Sequence, residues 1–173
     1  MTQERTGLIT FQGNPLTLLG PELKTGDPAP EFSVVDGEFN PVRSADLAGK
    51  VLLISAVPSL DTPVCQLQTK RFNQEAEKLP DSIEVLTLSE DLPFAQGRFC
   101  GAEGITKVKV LSDHVSREFG LKWGLLIKEL SLLARAVAVV GTDGKILHLE
   151  VVPEITEHPD YEAALAAARE AAG

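Results

Sequence analysis

Cysteine is scarce in this sequence, with only Cys65 and Cys100 among 173 residues. Two cysteines do not make the disulfide framework of a small secreted domain. They are either a chemical pair or two small buried side chains, and composition leaves both open. The C-x-x-C motif that a disulfide oxidoreductase would normally use is absent. Metal ligands are sparse too: His114, His148 and His158 are not grouped at ligand spacing, so no metal is expected. Positive charge is in deficit, with 16 Lys+Arg against 25 Asp+Glu and a net charge of −9. That balance argues against a general nucleic-acid or anionic-membrane binder, though not against a local positive site. No apolar run approaches the ~18–20 residues of a membrane span. The N-terminal "MTQERTGLITFQ" lacks the apolar core of a signal peptide, so a cytoplasmic location is the expectation. Thiols are usually kept reduced there, which favours reactive or simply buried cysteines over a structural bridge.

What is present reads as one domain over residues 1–173, with residues 1–20 as an N-terminal hairpin extension. Hydrophobic residues at 43% and charged residues at 24% are ordinary for a globular chain. "GLITFQGNPLTLLG" alternates around Gly13-Asn14 and predicts a β-hairpin. A Pro/Gly-rich connector then leads to a short strand at Phe32–Val35. "VLLISAVPS" is a continuous apolar run, the pattern of a central strand buried on both faces. A helix is expected from Pro63 to Lys78, with Leu67, Phe72 and Ala76 facing inward. "SIEVLTLS" and "ITKVKVLSD" predict strands, separated by a short helix from Pro93 towards Phe99, and "HVSREFGLKWG" predicts a short helix and loop. "ARAVAVVGTDGKILHLEVV" predicts two strands joined at Thr142-Asp143-Gly144, and Pro159 is expected to open a last, alanine-rich helix. The fold class is therefore α/β. The order β-α-β-α-β-β-α resembles a thioredoxin-like fold with added N-terminal strands.

"PSLDTPVC" is the most informative stretch. Thr62 suits an N-cap and Pro63 the first helical position, which places Cys65 in the first turn. The Thr62 oxygen is expected to accept from the Cys65 amide, and the helix dipole favours negative charge there. Magnitude decides whether that suffices. Bringing an ordinary thiol from about 8.5 to about 6 requires roughly 3.4 kcal/mol. A helix terminus contributes ~0.3–1 kcal/mol, or about 2 when partly buried. A cation is needed beside the sulfur. Arg135 is the candidate, a single guanidinium at the head of the apolar run "ARAVAVV". The alternative is a solvent-facing arginine at a strand end.

"PSLDTPVC", "LPFAQGRFCGAEG" and "LLARAV" together resemble the thiol peroxidase branch of the peroxiredoxins, and the likeness spans nearly the whole chain. It implies that Cys65 is the peroxidatic and Cys100 the resolving cysteine, joined in an intramolecular disulfide during the cycle. Thr62 would hydrogen-bond the thiolate and the peroxide, Pro58 would shield the pocket from water, and Arg135 would stabilise the thiolate and orient the peroxide. The resemblance further implies hydrogen peroxide or organic hydroperoxides as substrates, no cofactor, a thioredoxin-like reductant, local unfolding around both cysteines, and a homodimer. Two departures stand out. "LLIKELSLLARA" lacks the glycine-containing segment usual before the arginine, and Trp123 stands where tyrosine is expected. Phe94 and Phe99 are expected to flank Cys100. A redox sensor or chaperone-like module using the same two cysteines is the rival reading, separated from an enzyme by turnover of peroxide.

Overall fold

The six residues Val51–Ala56 (β5) are all buried, and alternate side chains enter different cores. Val51 and Leu53 point into one apolar cluster, Leu52 and Ile54 into another. That explains the unbroken apolar run: a strand covered on both faces has no solvent side to mark with polar residues. The computed structural model describes residues 2–173. Before β5 come β1 (Glu4–Phe11), β2 (Asn14–Leu19), β3 (Ser33–Val35), β4 (Pro41–Arg43) and a 3-10 turn at Ser44–Leu47. After it follow α1 (Pro63–Ala76), β6 (Ile83–Ser89), α2 (Pro93–Glu103), β7 (Lys109–Ser112), α3 (Glu118–Lys122), β8 (Leu126–Ile127), β9 (Leu132–Leu133), β10 (Ala136–Val140), β11 (Ile146–Val151) and α4 (Tyr161–Ala172).

The main sheet has the order β11-β10-β5-β6-β7-β3-β4, parallel at β5-β6-β7 and antiparallel elsewhere. One face packs against α1, α2 and α4 through Phe72, Phe99 and Leu165. The other packs against Phe32, Phe119 and Trp123. The expected order is met, α3 falls in the predicted "HVSREFGLKWG" stretch, and a two-strand excursion, β8 and β9, is inserted between α3 and β10. These strands pair with the N-terminal hairpin in a second sheet, β1-β2-β8-β9. The first 20 residues are thus tied into the fold rather than appended to it. Among the described residues no helix is long and apolar enough to cross a membrane.

Several local expectations need correction. The first turn is centred on Gln12-Gly13, both with positive φ, and Asn14 already belongs to β2. α4 begins at Tyr161, because Asp160 is its cap and accepts the Ala163 amide at 3.0 Å; Pro159 lies before the helix. α2 runs past Phe99 to Glu103 and so contains Cys100. Leu67 points outward, 53% exposed, whereas Phe72 is fully buried. In the departure segment the tight β8–β9 turn puts Ser131 at φ 54°, a left-handed conformation that glycine adopts without steric cost.

Candidate active site

Cys65 lies in the first turn of α1, where the chain leaves the C-terminal end of β5, and is 0% exposed. Pro58 is buried on the same connection. Three and four residues on, helical spacing returns Gln68 and Thr69 to the same buried face. The Thr69 hydroxyl donates to the Cys65 carbonyl at 2.9 Å. The Gln68 amide nitrogen donates to Ser55 Oγ at 2.7 Å, which fixes its orientation and leaves Oε1 as an acceptor.

Arg135 completes the arrangement from the turn between β9 and β10. It is 2% exposed, so the solvent-facing reading fails. Nη1 donates to Gln68 Oε1 at 2.9 Å, Nε to the Ile155 carbonyl at 2.9 Å, and Nη2 to Cys65 Sγ at 3.3 Å. A buried guanidinium needs its donors satisfied, and two oxygens take two of its five N–H groups here. They also fix the plane of the group, so the third donor edge is aimed at sulfur. The second sheet contributes indirectly. The Ile155 amide donates to Thr10 O at 3.0 Å, so β1 positions the carbonyl that orients Arg135.

Thr62 departs from expectation. It precedes α1 with extended backbone, but its side chain makes no capping bond. Its hydroxyl instead donates to the Ser59 carbonyl at 2.9 Å, which also receives the Thr62 amide at 3.1 Å. The tight Ser59–Thr62 turn holds the hydroxyl on that carbonyl, and Thr62 is exposed, its oxygen off the Cys65 amide. The first amides of α1 therefore keep their donor capacity.

Cys100 occupies the last turns of α2, half-buried against the cluster that also contains Cys65. Both are free thiols. Burial pushes the Cys100 thiol above its ordinary value, which keeps it protonated near neutrality. The two thiols thus differ: one has a guanidinium donor on its sulfur, the other has only apolar cover. Phe99 is buried as expected, but Phe94 is 72% exposed and stacks on Phe39 at 5.3 Å, away from Cys100. Trp123 belongs to the opposite core, its Nε1 donating to Pro30 O at 3.1 Å. Tyr161 stands on the α4 side of the site, its ring 5.4 Å from Phe72 and beneath the Arg71 guanidinium. Burial is the main cause of its raised pKa, opposed by the charges of Arg135 and Arg71. Among the described residues no group of three side chains could hold a metal.

Gln68 and Ser55 were not anticipated. The available signal was a pair of polar residues, Gln68 and Thr69, one turn after Cys65 on the face that also carries Phe72. A glutamine at that spacing does not announce that it bridges to an arginine on another strand.

A family model described as Redoxin matches residues 24–165. The chain is 53% identical over 163 residues to a thiol peroxidase of Halalkalibacterium halodurans, covering 94% of this chain and 98% of that one. It is 53% identical over 161 residues to a thiol peroxidase of Bacillus subtilis, covering 93% and 96%. The solved structure of a peroxiredoxin-like protein from Aquifex aeolicus superposes with a TM-score of 0.89 at 41% identity, covering 95% of this chain and 98% of that one. A thiol peroxidase structure from Chromobacterium violaceum has a TM-score of 0.81 at 19% identity, over 94% and 95%, and shares the fold.

Proposed function

The chain belongs to the redoxin family, and from that premise we propose that it is a thiol peroxidase acting through Cys65. The observation that carries the reading is the Arg135 donor 3.3 Å from a fully buried sulfur. The Cys65 thiolate attacks one oxygen of a hydroperoxide in line, the O–O bond breaks, and the departing alkoxide or hydroxide takes a proton to leave as alcohol or water. Negative charge spreads over sulfur and both oxygens, where Arg135 and the amides at the start of α1 can donate to it, and Thr62 too once its hydroxyl turns from the Ser59 carbonyl. Cys65 becomes a sulfenic acid. The Cys100 sulfur then attacks it, forming the S–S bond and releasing water. Two electrons from an external dithiol, in our reading a thioredoxin-like protein, restore both thiols.

We assign the roles accordingly. Cys65 is the nucleophile and Cys100 the resolving thiol; Arg135 and Thr62 are donors, and Pro58 is the cover that limits water. The 173 residues form one thioredoxin-like domain, acting in the cytoplasm as a homodimer. Peroxide consumption by the reduced protein with a thioredoxin system tests the proposal. Cys65→Ser should abolish turnover. Cys100→Ser should consume one equivalent per chain and then stall as the sulfenic acid. Retention of turnover by Cys65→Ser, or full cycling by Cys100→Ser, would overturn the assignment.

A further inference from the structure

Asp91 sits between β6 and α2, outside the arrangement around Cys65, yet its carboxylate bonds the Cys65 connection directly and reaches the Cys100 helix through the Ser89 hydroxyl. Oδ1 accepts the Ser59 hydroxyl at 2.7 Å, and Oδ2 accepts the Leu60 amide at 2.8 Å. Ser59 and Leu60 belong to the connection that leads from β5 to Cys65, and Ser59 also anchors the turn that holds Thr62. Oδ2 further accepts the Ser89 hydroxyl at 2.8 Å. The Ser89 oxygen in turn accepts Gln96 Nε2 at 3.0 Å, and that nitrogen also donates to Leu111 O at 2.9 Å. Gln96 lies in the first turns of α2, one helical turn before Cys100. The cap residue of α2, Leu92, offers no side-chain bond, so this relay supplies polar anchorage that the helix start otherwise lacks.

We propose that Asp91 is a positioning residue that holds the Cys65 connection and the Cys100 helix together in the reduced enzyme and makes their release correlated. The proposal rests on the peroxidase reading for its consequence, but not for its geometry. One carboxylate serves both segments. When the Ser59–Leu60 connection leaves, two of its three side-chain acceptor contacts are lost, and the remaining link to Ser89 and Gln96 no longer ties α2 to anything on the Cys65 side. Peroxide attack requires the Cys65 connection in place; disulfide formation requires the cysteine segments to move. Weakening Asp91 should therefore slow the first step and speed the second. A residue that merely supported the fold would slow both.

The test uses Asp91→Asn, which removes the charge and puts a donor in place of one of the two acceptor oxygens, and Ser59→Ala, which removes one link and is the milder change. Amide exchange of the reduced proteins, without peroxide, should rise together in residues 57–65 and 93–103, by about tenfold for the loss of one charged hydrogen bond. Single-turnover kinetics with hydrogen peroxide should show slower sulfenic acid formation and faster disulfide closure in both variants. Faster exchange confined to one segment, or both kinetic steps slowed together, would overturn the proposal. A native protein that does not consume peroxide would instead overturn the peroxidase reading, while the exchange measurement still decides the coupling.

Discussion

Arg135→Met is the sharpest perturbation available, because it removes a charge while roughly keeping length and volume. At 3.3 Å, a guanidinium and a unit negative charge on sulfur attract by about 5 kcal/mol at an effective dielectric near 20. Desolvation offsets part of this, and the donors at the start of α1 remain. The expected net loss is that of one preorganised transition-state donor, about 2.7–4 kcal/mol, or a 10²–10³-fold fall in the second-order rate with peroxide. Stability changes less predictably in sign. Gln68 Oε1 and Ile155 O lose their donor, at roughly 1–3 kcal/mol each, but the fold no longer buries a charge. Thermal unfolding must therefore accompany the rate. Arg135→Lys keeps the charge, yet one ammonium cannot serve two oxygens and a sulfur in a plane, so an intermediate loss is expected. Single-turnover peroxide consumption by pre-reduced protein is the assay. If folded Arg135→Met reacted within about threefold of the native protein, a discrepancy of some 2–3 kcal/mol, the argument that Arg135 stabilises charge on sulfur would be refuted.

Two further expectations concern parts of the fold away from the sulfur. Glu90 is buried, and no donor among the described residues reaches either of its carboxyl oxygens, so its own proton is the bridge to Asp113. Burial, with Asp113 beside it, pushes Glu90 from 4.5 up to about 9, and burial raises Asp113 as well. The folded state thus binds more protons than the unfolded one, and the stability from the pair, complete below about pH 4.5, falls as pH rises through about 9. Glu90→Gln should flatten the melting temperature over that window, and an unchanged slope would remove Glu90 as its cause. Gly124, at φ 66°, lies so close to Pro21 that an added Cβ would meet the Pro21 carbonyl oxygen. Gly124→Ala should destabilise the protein by roughly 2 kcal/mol or more in denaturant titration, and a loss below about 0.5 would show that the contact yields freely.

The readability of the sequence followed the strength of local signals. β5 was legible because six consecutive buried residues leave no ambiguity about its cover, and the β10–β11 turn because Gly144 takes a positive φ. β8 and β9 were not, since two-residue strands carry no period and exist only by pairing, β8 with β2 and β9 with β8. At the site, Cys65 and Arg135 could be named from motif and from the energy shortfall of the helix terminus. The capping bond failed because the Thr62 hydroxyl is turned to donate to the Ser59 carbonyl, which leaves its oxygen off the Cys65 amide. Gln68, Ser55 and Ile155 act through tertiary geometry alone: each meets Arg135 or its partner across elements distant in sequence. Phe94 shows the limit of proximity along the chain. Residing on the same helix as Cys100, it faces Phe39 and solvent instead.

The composition of α2 argues for when the resolving cysteine moves. This 11-residue helix contains Gly97 and Gly101, both exposed, and its cap residue makes no side-chain bond. Each glycine costs a helix interior about 1 kcal/mol relative to alanine. A Cβ at either position would meet nothing within 4 Å, so alanine fits without a clash. Gly97→Ala/Gly101→Ala should thus stabilise α2 by about 2 kcal/mol while leaving Cys65, Gln68 and Arg135 untouched. If Cys100 reaches the sulfenic acid only after α2 unwinds, disulfide closure should slow by about 30-fold, with peroxide attack unchanged. The sulfenic acid would live longer and be more exposed to a second peroxide, so sulfinic acid should accumulate at high peroxide. Trapping the sulfenic acid in quenched single turnovers separates the two steps. A double variant with a raised melting temperature and native closure rate would show that α2 stays helical throughout. The weakness built into α2 would then serve something other than resolution.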